Sequence, residues 1–116
     1  MANVNDADRL AHMLDYATIA RRISAGRTRE HLDSDVTYSL AIVRALEVIG
    51  EAAGRMSAER RAQLAGIPWP QIAGLRNRIV HGYDVLDRDL IWQIVTQDLG
   101  PLIAELEKVV PPEPPA

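Results

Sequence analysis

Cysteine is absent from this 116-residue chain, which removes a disulfide frame, a thiolate nucleophile and a zinc ribbon at one stroke. Long apolar runs are missing too. None approaches the roughly 18–20 residues needed to span a bilayer, so no membrane association is expected. The opening decapeptide MANVNDADRL has neither a basic start nor an apolar stretch. No signal peptide is therefore expected, and a cytoplasmic location is. Lysine is reduced to Lys108, so positive charge rests on arginine. An excess of positive charge is also lacking. The formal net charge of −3 argues against wrapping nucleic acid over the whole surface, though not against a local basic pocket. The arginines are clustered: Arg21, Arg22, Arg27 and Arg29; Arg55, Arg60 and Arg61; Arg76 and Arg78. What remains is an ordinary globular composition, 47% hydrophobic and 25% charged, at a length that supports one domain with a modest core.

Strand signals are missing as well. β-branched residues fall at helical spacing and never alternate over a strand-length run, so the fold class expected is all-α. A stripe of Leu10, Met13, Leu14, Ala17, Ala20 and Ile23 predicts a helix over about residues 6–25, capped by Asn5 or Asp6 and ended by Gly26. After a polar link, Ser34 or Asp35 opens a second helix to about Arg55. Val36, Leu40, Val43, Leu46, Ile49, Ala53 and Met56 form its apolar stripe. Residues 57–65 read as a short helix with Ser57 as N-cap. Pro68-Trp69-Pro70 suits a helix start, and a fourth helix is expected from there to about His81, with Gly82 as its left-handed C-cap. Asp87 caps a fifth, carrying Leu90, Ile91, Ile94, Val95, Leu99, Leu102, Leu106 and Val109, which Pro101 should kink or divide. The architecture expected is a bundle of four to five helices with a long antiparallel pair, residues 1–110 forming one domain. The tail over 111–116, Pro-Pro-Glu-Pro-Pro-Ala, is expected to be disordered.

Chemistry concentrates in Arg76-Asn77-Arg78-Ile79-Val80-His81-Gly82-Tyr83. Two guanidiniums, a carboxamide, an imidazole and a phenol share eight residues. Arginine binds phosphate as a planar, permanent cation, and histidine moves protons near neutral pH, so the set points to work on a phosphodiester. Each residue also has a plain structural reading. His81 could serve the dipole at a helix C-terminus, Arg76 and Arg78 could be solvated charges, and Tyr83 a half-buried loop anchor. On a continuous helix Arg76 and His81 would stand about 140° apart, converging only if the helix ends near His81. Arg78, three residues before His81, is by geometry the better same-face partner. Elsewhere, Glu47 and Glu51 share a helical face. Intrahelical pairs with Arg44 and Arg55 account for them most simply, and a supporting role near the motif helix is the alternative. Gly50 weakens its helix, which implies close approach of another helix or subunit there. His12 and His31 read as surface residues, and Trp69 and Trp92 as packing. No ligand cluster for a metal is visible.

The Arg-x4-His-x-Tyr spacing resembles the HEPN proteins, and among them the HepT-like (DUF86) toxins paired with minimal nucleotidyltransferase antitoxins. The resemblance extends along most of the chain. Leu46-Glu47-Val48-Ile49-Gly50-Glu51-Ala52-Ala53, Ile67-Pro68-Trp69, Leu75 through Tyr83 and Ile91-Trp92-Gln93-Ile94-Val95 follow in the family's order. Tyr83-Asp84-Val85-Leu86-Asp87 departs from it, since an aromatic and a glycine often follow the tyrosine in such proteins.

That resemblance implies a HEPN-like helical bundle and a metal-independent endoribonuclease needing no cofactor, with RNA as substrate. It selects Arg76 as the phosphate-stabilising arginine and His81 as general base or acid, with Asn77 and Arg78 as supporting phosphate or RNA contacts. It further implies a homodimer, which brings two histidines to one cleft, and a nucleotidyltransferase antitoxin that adenylylates Tyr83. The competing reading is a catalytically silent helical module that binds a nucleotidyltransferase or a nucleotide. Whether Arg76 and His81 from two subunits line an open cleft or are buried in packing discriminates between the two.

Overall fold

A computed structural model of the chain describes residues 4–83 and 85–112. Two long helices, α1 (Val4–Ser24) and α3 (Val36–Gly54), pack antiparallel and form the spine. Their pairing is pinned at both ends. The Ser24 and Tyr38 hydroxyls hydrogen-bond at 2.7 Å at one end. At the other, the Asp6 carboxylate accepts from the Ser57 amide at 3.1 Å and the Ser57 hydroxyl at 2.6 Å. Asp6 is therefore not a helix cap, as expected from sequence, but a buried tie between α1 and the segment that follows α3. Gly26 does end the first helix, with φ at 75°.

The link to α3 holds a single turn, α2 (His31–Ser34). Asp35 is the N-cap of α3, accepting from the Tyr38 amide. Arg27 holds the same carboxylate at 2.7 Å and lies over the Tyr38 ring. Ser57 caps the short α4 (Ala58–Gln63) as the sequence predicts.

The predicted fourth helix is two short ones, α5 (Trp69–Ala73) and α6 (Leu75–Ile79), separated by Gly74 at φ −88° and ψ 7°. The last helical run is α7 (Arg88–Gln93), a π-helical turn over Ile94–Asp98, and α8 (Leu99–Glu107). The interruption expected of Pro101 thus falls one turn earlier. The proline ring has no N–H and crowds the carbonyl four residues back, Gln97, which lies in the π turn.

The molecule measures 46 × 35 × 21 Å, the last dimension being that of two helix layers. Its core gathers Leu10, Met13, Ala17, Ile42, Leu46, Ile49, Ile79, Ile91, Ile94, Leu99 and Leu106. The stripe predicted for α3 is buried from Leu46 onward, but Val36 and Leu40 are 69% and 64% exposed. Tyr38 and Ile42 take the core positions instead, because α1 covers α3 from that side. Gly50 meets its expected neighbour: a Cβ there would lie 3.1 Å from the Ile72 carbonyl oxygen and 3.4 Å from Leu75 Cβ. The described residues form a helical bundle, with one small departure described next. Pro111 and Pro112 lie exposed outside any regular element, and the rest of the expected disordered tail falls outside the described residues.

Candidate active site

The octapeptide begins on α6 but does not finish there. Val80 leaves the helix with φ −114° and ψ 114°, and Val80–His81 forms a short strand, β1, paired antiparallel with β2 (Val85–Leu86). Val80 stands opposite Leu86 and His81 opposite Val85. Gly82, at φ 76°, begins the reversal; this is the left-handed region where a side chain costs energy. Two expectations are corrected here. His81 is on a strand rather than at a helix end, and Gly82 is a hairpin residue rather than a helix cap. The hairpin is closed by the Asp87 amide, which donates to the Ile79 carbonyl at 2.8 Å. Asp87 then caps α7 by accepting from the Leu90 amide at 3.0 Å.

This geometry sets the histidine. Its Nε2 lies 2.9 Å from the Arg78 carbonyl oxygen and 3.8 Å from Asp87 Oδ2, and the side chain is 57% exposed. The three-residue spacing between Arg78 and His81 therefore brings a backbone carbonyl to the ring, not the guanidinium. The Arg78 side chain reaches back toward the Gln71 carbonyl and lines a different hollow, against α8. Arg76 is 71% exposed and stands 3.6 Å from Glu47 across to α3. Asn77 is exposed on the same short helix. Tyr83 is fully exposed, not the half-buried anchor that a structural role would require.

Two neighbouring hollows flank the hairpin. One, of about 390 Å³, is lined by His81, Asp87, Arg88, Arg29, Asp33 and Asp89 among others. The other, of about 400 Å³, holds Arg76, Tyr83 and Glu47 beside the exposed Val36 and Leu40. Asp33, Leu86 and Arg88 border both. Arg88 is one residue that sequence reasoning missed. Nothing in its spacing marks it, because it comes to the site only when the hairpin folds α7 back. Its Nε lies 3.4 Å from Asp33. Arg29 arrives from the α1–α3 link and is tied to Asp89 at 2.7 Å and Asp33 at 3.1 Å, contacts that raise its already high pKa, the Asp89 hydrogen bond most of all. Glu47 was expected to pair within α3. It stands against Arg76 instead, at 3.6 Å across to the motif helix, while Glu51 does pair within α3, with Arg44 at 3.9 Å.

Among the described residues no group of three or more carboxylate, imidazole or thiol side chains is placed to hold a metal ion, and no helix is long and apolar enough to cross a membrane. His12 is exposed, and His31 is turned inward locally, its Nδ1 accepting from the Thr28 amide at 2.9 Å. Trp69 is buried, with its indole N–H donating to the Leu64 carbonyl, and Trp92 packs against the core, as expected.

Residues 13–109 match the family described as Ribonuclease HepT-like. Among curated proteins, the chain is 39% identical over 69 residues to "Putative RNase MJ1380" of Methanocaldococcus jannaschii, covering 60% of this chain and 63% of that one. It is 33% identical over 101 residues to "Putative RNase TTE0752" of Caldanaerobacter subterraneus subsp. tengcongensis, covering 87% of each. It is 32% identical over 75 residues to "Probable ribonuclease HepT" of Thermococcus cleftensis, covering 65% and 68%. No solved structure matches the chain.

Proposed function

Because the chain belongs to the HepT-like ribonuclease family, we propose that it is a metal-independent endoribonuclease acting through Arg76 and His81. One observation supports this reading most. Arg76, His81 and Tyr83 all stand open to solvent around a hairpin, where none of their side chains is needed for the core. A silent module would have little use for an imidazole held by two neighbours yet left accessible.

RNA brings its own nucleophile, the 2′-hydroxyl, so the enzyme has to move protons and stabilise charge. One His81 takes the proton of the 2′-hydroxyl as its oxygen bonds to phosphorus. The bond from phosphorus to the 5′-oxygen breaks, and that oxygen receives a proton from a second His81. Arg76 stabilises the charge gathered on the phosphoryl oxygens, with Asn77 and Arg78 as further contacts. Two proton-transfer groups from a chain with one such histidine require a homodimer with facing motifs. In this reading the protein works in the cytoplasm as the toxin of a toxin–antitoxin pair. Its nucleotidyltransferase antitoxin places AMP on Tyr83, and the added phosphate neutralises the nearby arginines and blocks the cleft.

The test is cleavage of RNA in the presence of EDTA. Fragments ending in 2′,3′-cyclic phosphate are expected, with DNA left intact, and His81→Ala should lower the rate about 10²–10⁴-fold. Chelator-sensitive cleavage or 5′-phosphate ends would instead mean a metal-bound water.

A further inference from the structure

We propose that the nitrogen of His81 that exchanges protons with RNA is Nδ1, and that Asp87 is a positioning residue holding the ring in the tautomer this requires. The inference rests on the ribonuclease reading above and specifies its proton path.

The argument starts from an acceptor that cannot donate. A backbone carbonyl oxygen only accepts, so the 2.9 Å contact between the Arg78 oxygen and His81 Nε2 places a hydrogen on Nε2. In the neutral ring the lone pair then belongs to Nδ1, the only nitrogen able to take a proton from a hydroxyl. The Asp87 carboxylate, 3.8 Å from the same nitrogen, is too far for a hydrogen bond of its own, but its charge favours a hydrogen on Nε2 rather than on Nδ1. The copy that acts as base starts neutral, with Nε2–H on the Arg78 carbonyl and Nδ1 empty. The copy that acts as acid starts with both nitrogens protonated and gives up the hydrogen on Nδ1. In neither role does the Nε2–H leave its carbonyl, so the ring need not turn over between the two halves of the reaction.

Asp87 can do this because the fold uses it three times. Its amide closes the hairpin onto Ile79, its Oδ1 caps α7, and its Oδ2 lies 3.8 Å from His81 Nε2. The carboxylate is thus fixed by the same contacts that fix the strand bearing His81. Sequence reasoning saw only the cap, since the approach to His81 depends on the pairing of Val80 with Leu86.

Asparagine caps a helix about as well as aspartate, so Asp87→Asn removes the charge while keeping the cap and the hairpin amide. Ring ¹⁵N spectra of the full-length wild type, taken where His81 is neutral, should show a protonated Nε2 and an unprotonated Nδ1. In Asp87→Asn the Arg78 carbonyl should keep Nε2–H the major form, but the share of Nδ1–H should rise measurably above that of the wild type; kcat should fall about five- to tenfold, the scale of one charge pair at this distance, and KM should stay put. Asp87→Ser, a cap without charge, should behave like Asp87→Asn. A wild-type ring protonated mainly on Nδ1 would overturn the nitrogen assignment. Wild-type kcat and tautomer in a folded Asp87→Asn would remove the role of Asp87. Should the wild type fail to cut RNA at all, the ribonuclease reading falls, while the spectrum still decides which nitrogen carries the hydrogen.

Discussion

Tyr83 and Asp6 mark two extremes of what a single residue does here. Tyr83 is fully exposed and lies past the end of α6, so its phenol supports nothing around it. Yet it shares a hollow with Arg76 and Arg88, close enough for a phosphate carried on its oxygen to meet a guanidinium. Tyr83→Phe should therefore fold as the wild type does and keep cutting RNA, but gain no AMP mass when incubated with the nucleotidyltransferase and ATP. If the phenylalanine variant is modified and silenced as readily as the wild type, the tyrosine switch is wrong, and masking of the cleft by the bound partner replaces it. Asp6 is the opposite case, buried and fully committed. The Ser57 hydroxyl hydrogen bond lowers its pKa most, burial works against it, and the Ser57 amide and Arg9 assist. A carboxyl lowered in the fold contributes stability above its unfolded pKa and loses it as pH falls through the folded value. Asp6→Asn should accordingly melt below the wild type near neutral pH, with the gap closing under about pH 4, near the ordinary carboxyl value. A gap independent of pH would show that shape, not charge, holds this tie.

At the scale of elements, the segment that carries Arg76 is positioned by a close approach. Gly50 lets α5 and α6 lie directly on α3, and its missing Cβ would stand 3.1 Å from a backbone oxygen that cannot swing aside. Alanine gains about 1 kcal/mol of helix propensity there, but overpacking against backbone costs about 1–3 kcal/mol. Gly50→Ala should thus destabilise modestly, lowering the melting midpoint by a few degrees, and should reduce RNA cleavage more than stability because α6 has to shift. A variant more stable than the wild type, with full activity, would show that the helices do not pack that closely. Sequence pattern revealed the two long helices and the caps at Ser34 or Asp35, Ser57 and Asp87, since each depends on neighbours within a turn or two, and a glycine inside a helix signalled the close approach at Gly50. It did not reveal the strand at Val80–His81. Two residues are too few for an alternating pattern, and pairing with Val85–Leu86 is decided by the reversal at Gly82 and by the Asp87–Ile79 bond. The same limit explains Val36 and Leu40. They keep helical register with the buried stripe, and only the placement of α1 decides that they face outward. Of the candidate site, Arg76, His81 and Tyr83 were legible as a motif, while the pairing of Glu47 with Arg76 and the approach of Arg88 and Asp87 arise from tertiary folding.

Taken whole, the molecule carries a net charge of −3, and on the proposed reading it has to gather an RNA phosphate. One protomer is poorly equipped for that, since Arg29 and Arg88 contact Asp33, Arg29 also holds Asp89, and Arg76 faces Glu47. In the proposed homodimer, two copies would sum the motif arginines into one cleft and supply the second histidine. The surface beside Arg76 fits that pairing, because Val36 and Leu40 expose apolar side chains around the hollow that holds Tyr83. If that dimer forms through this surface, a charge placed there would be buried unpaired against its own copy, which costs far more than the same charge in water. Leu40→Glu should then leave the helical content and melting of the protomer nearly unchanged, since the side chain is outside the core. It should shift the protein from dimer to monomer in analytical ultracentrifugation and abolish RNA cleavage in the same concentration range. Mixing it with a His81→Ala protein should restore little, because no pairing would then offer two histidines. A strictly monomeric wild type that cuts RNA would end the composite-cleft reading. A Leu40→Glu protein that stays dimeric and active would place the contact between copies on another face.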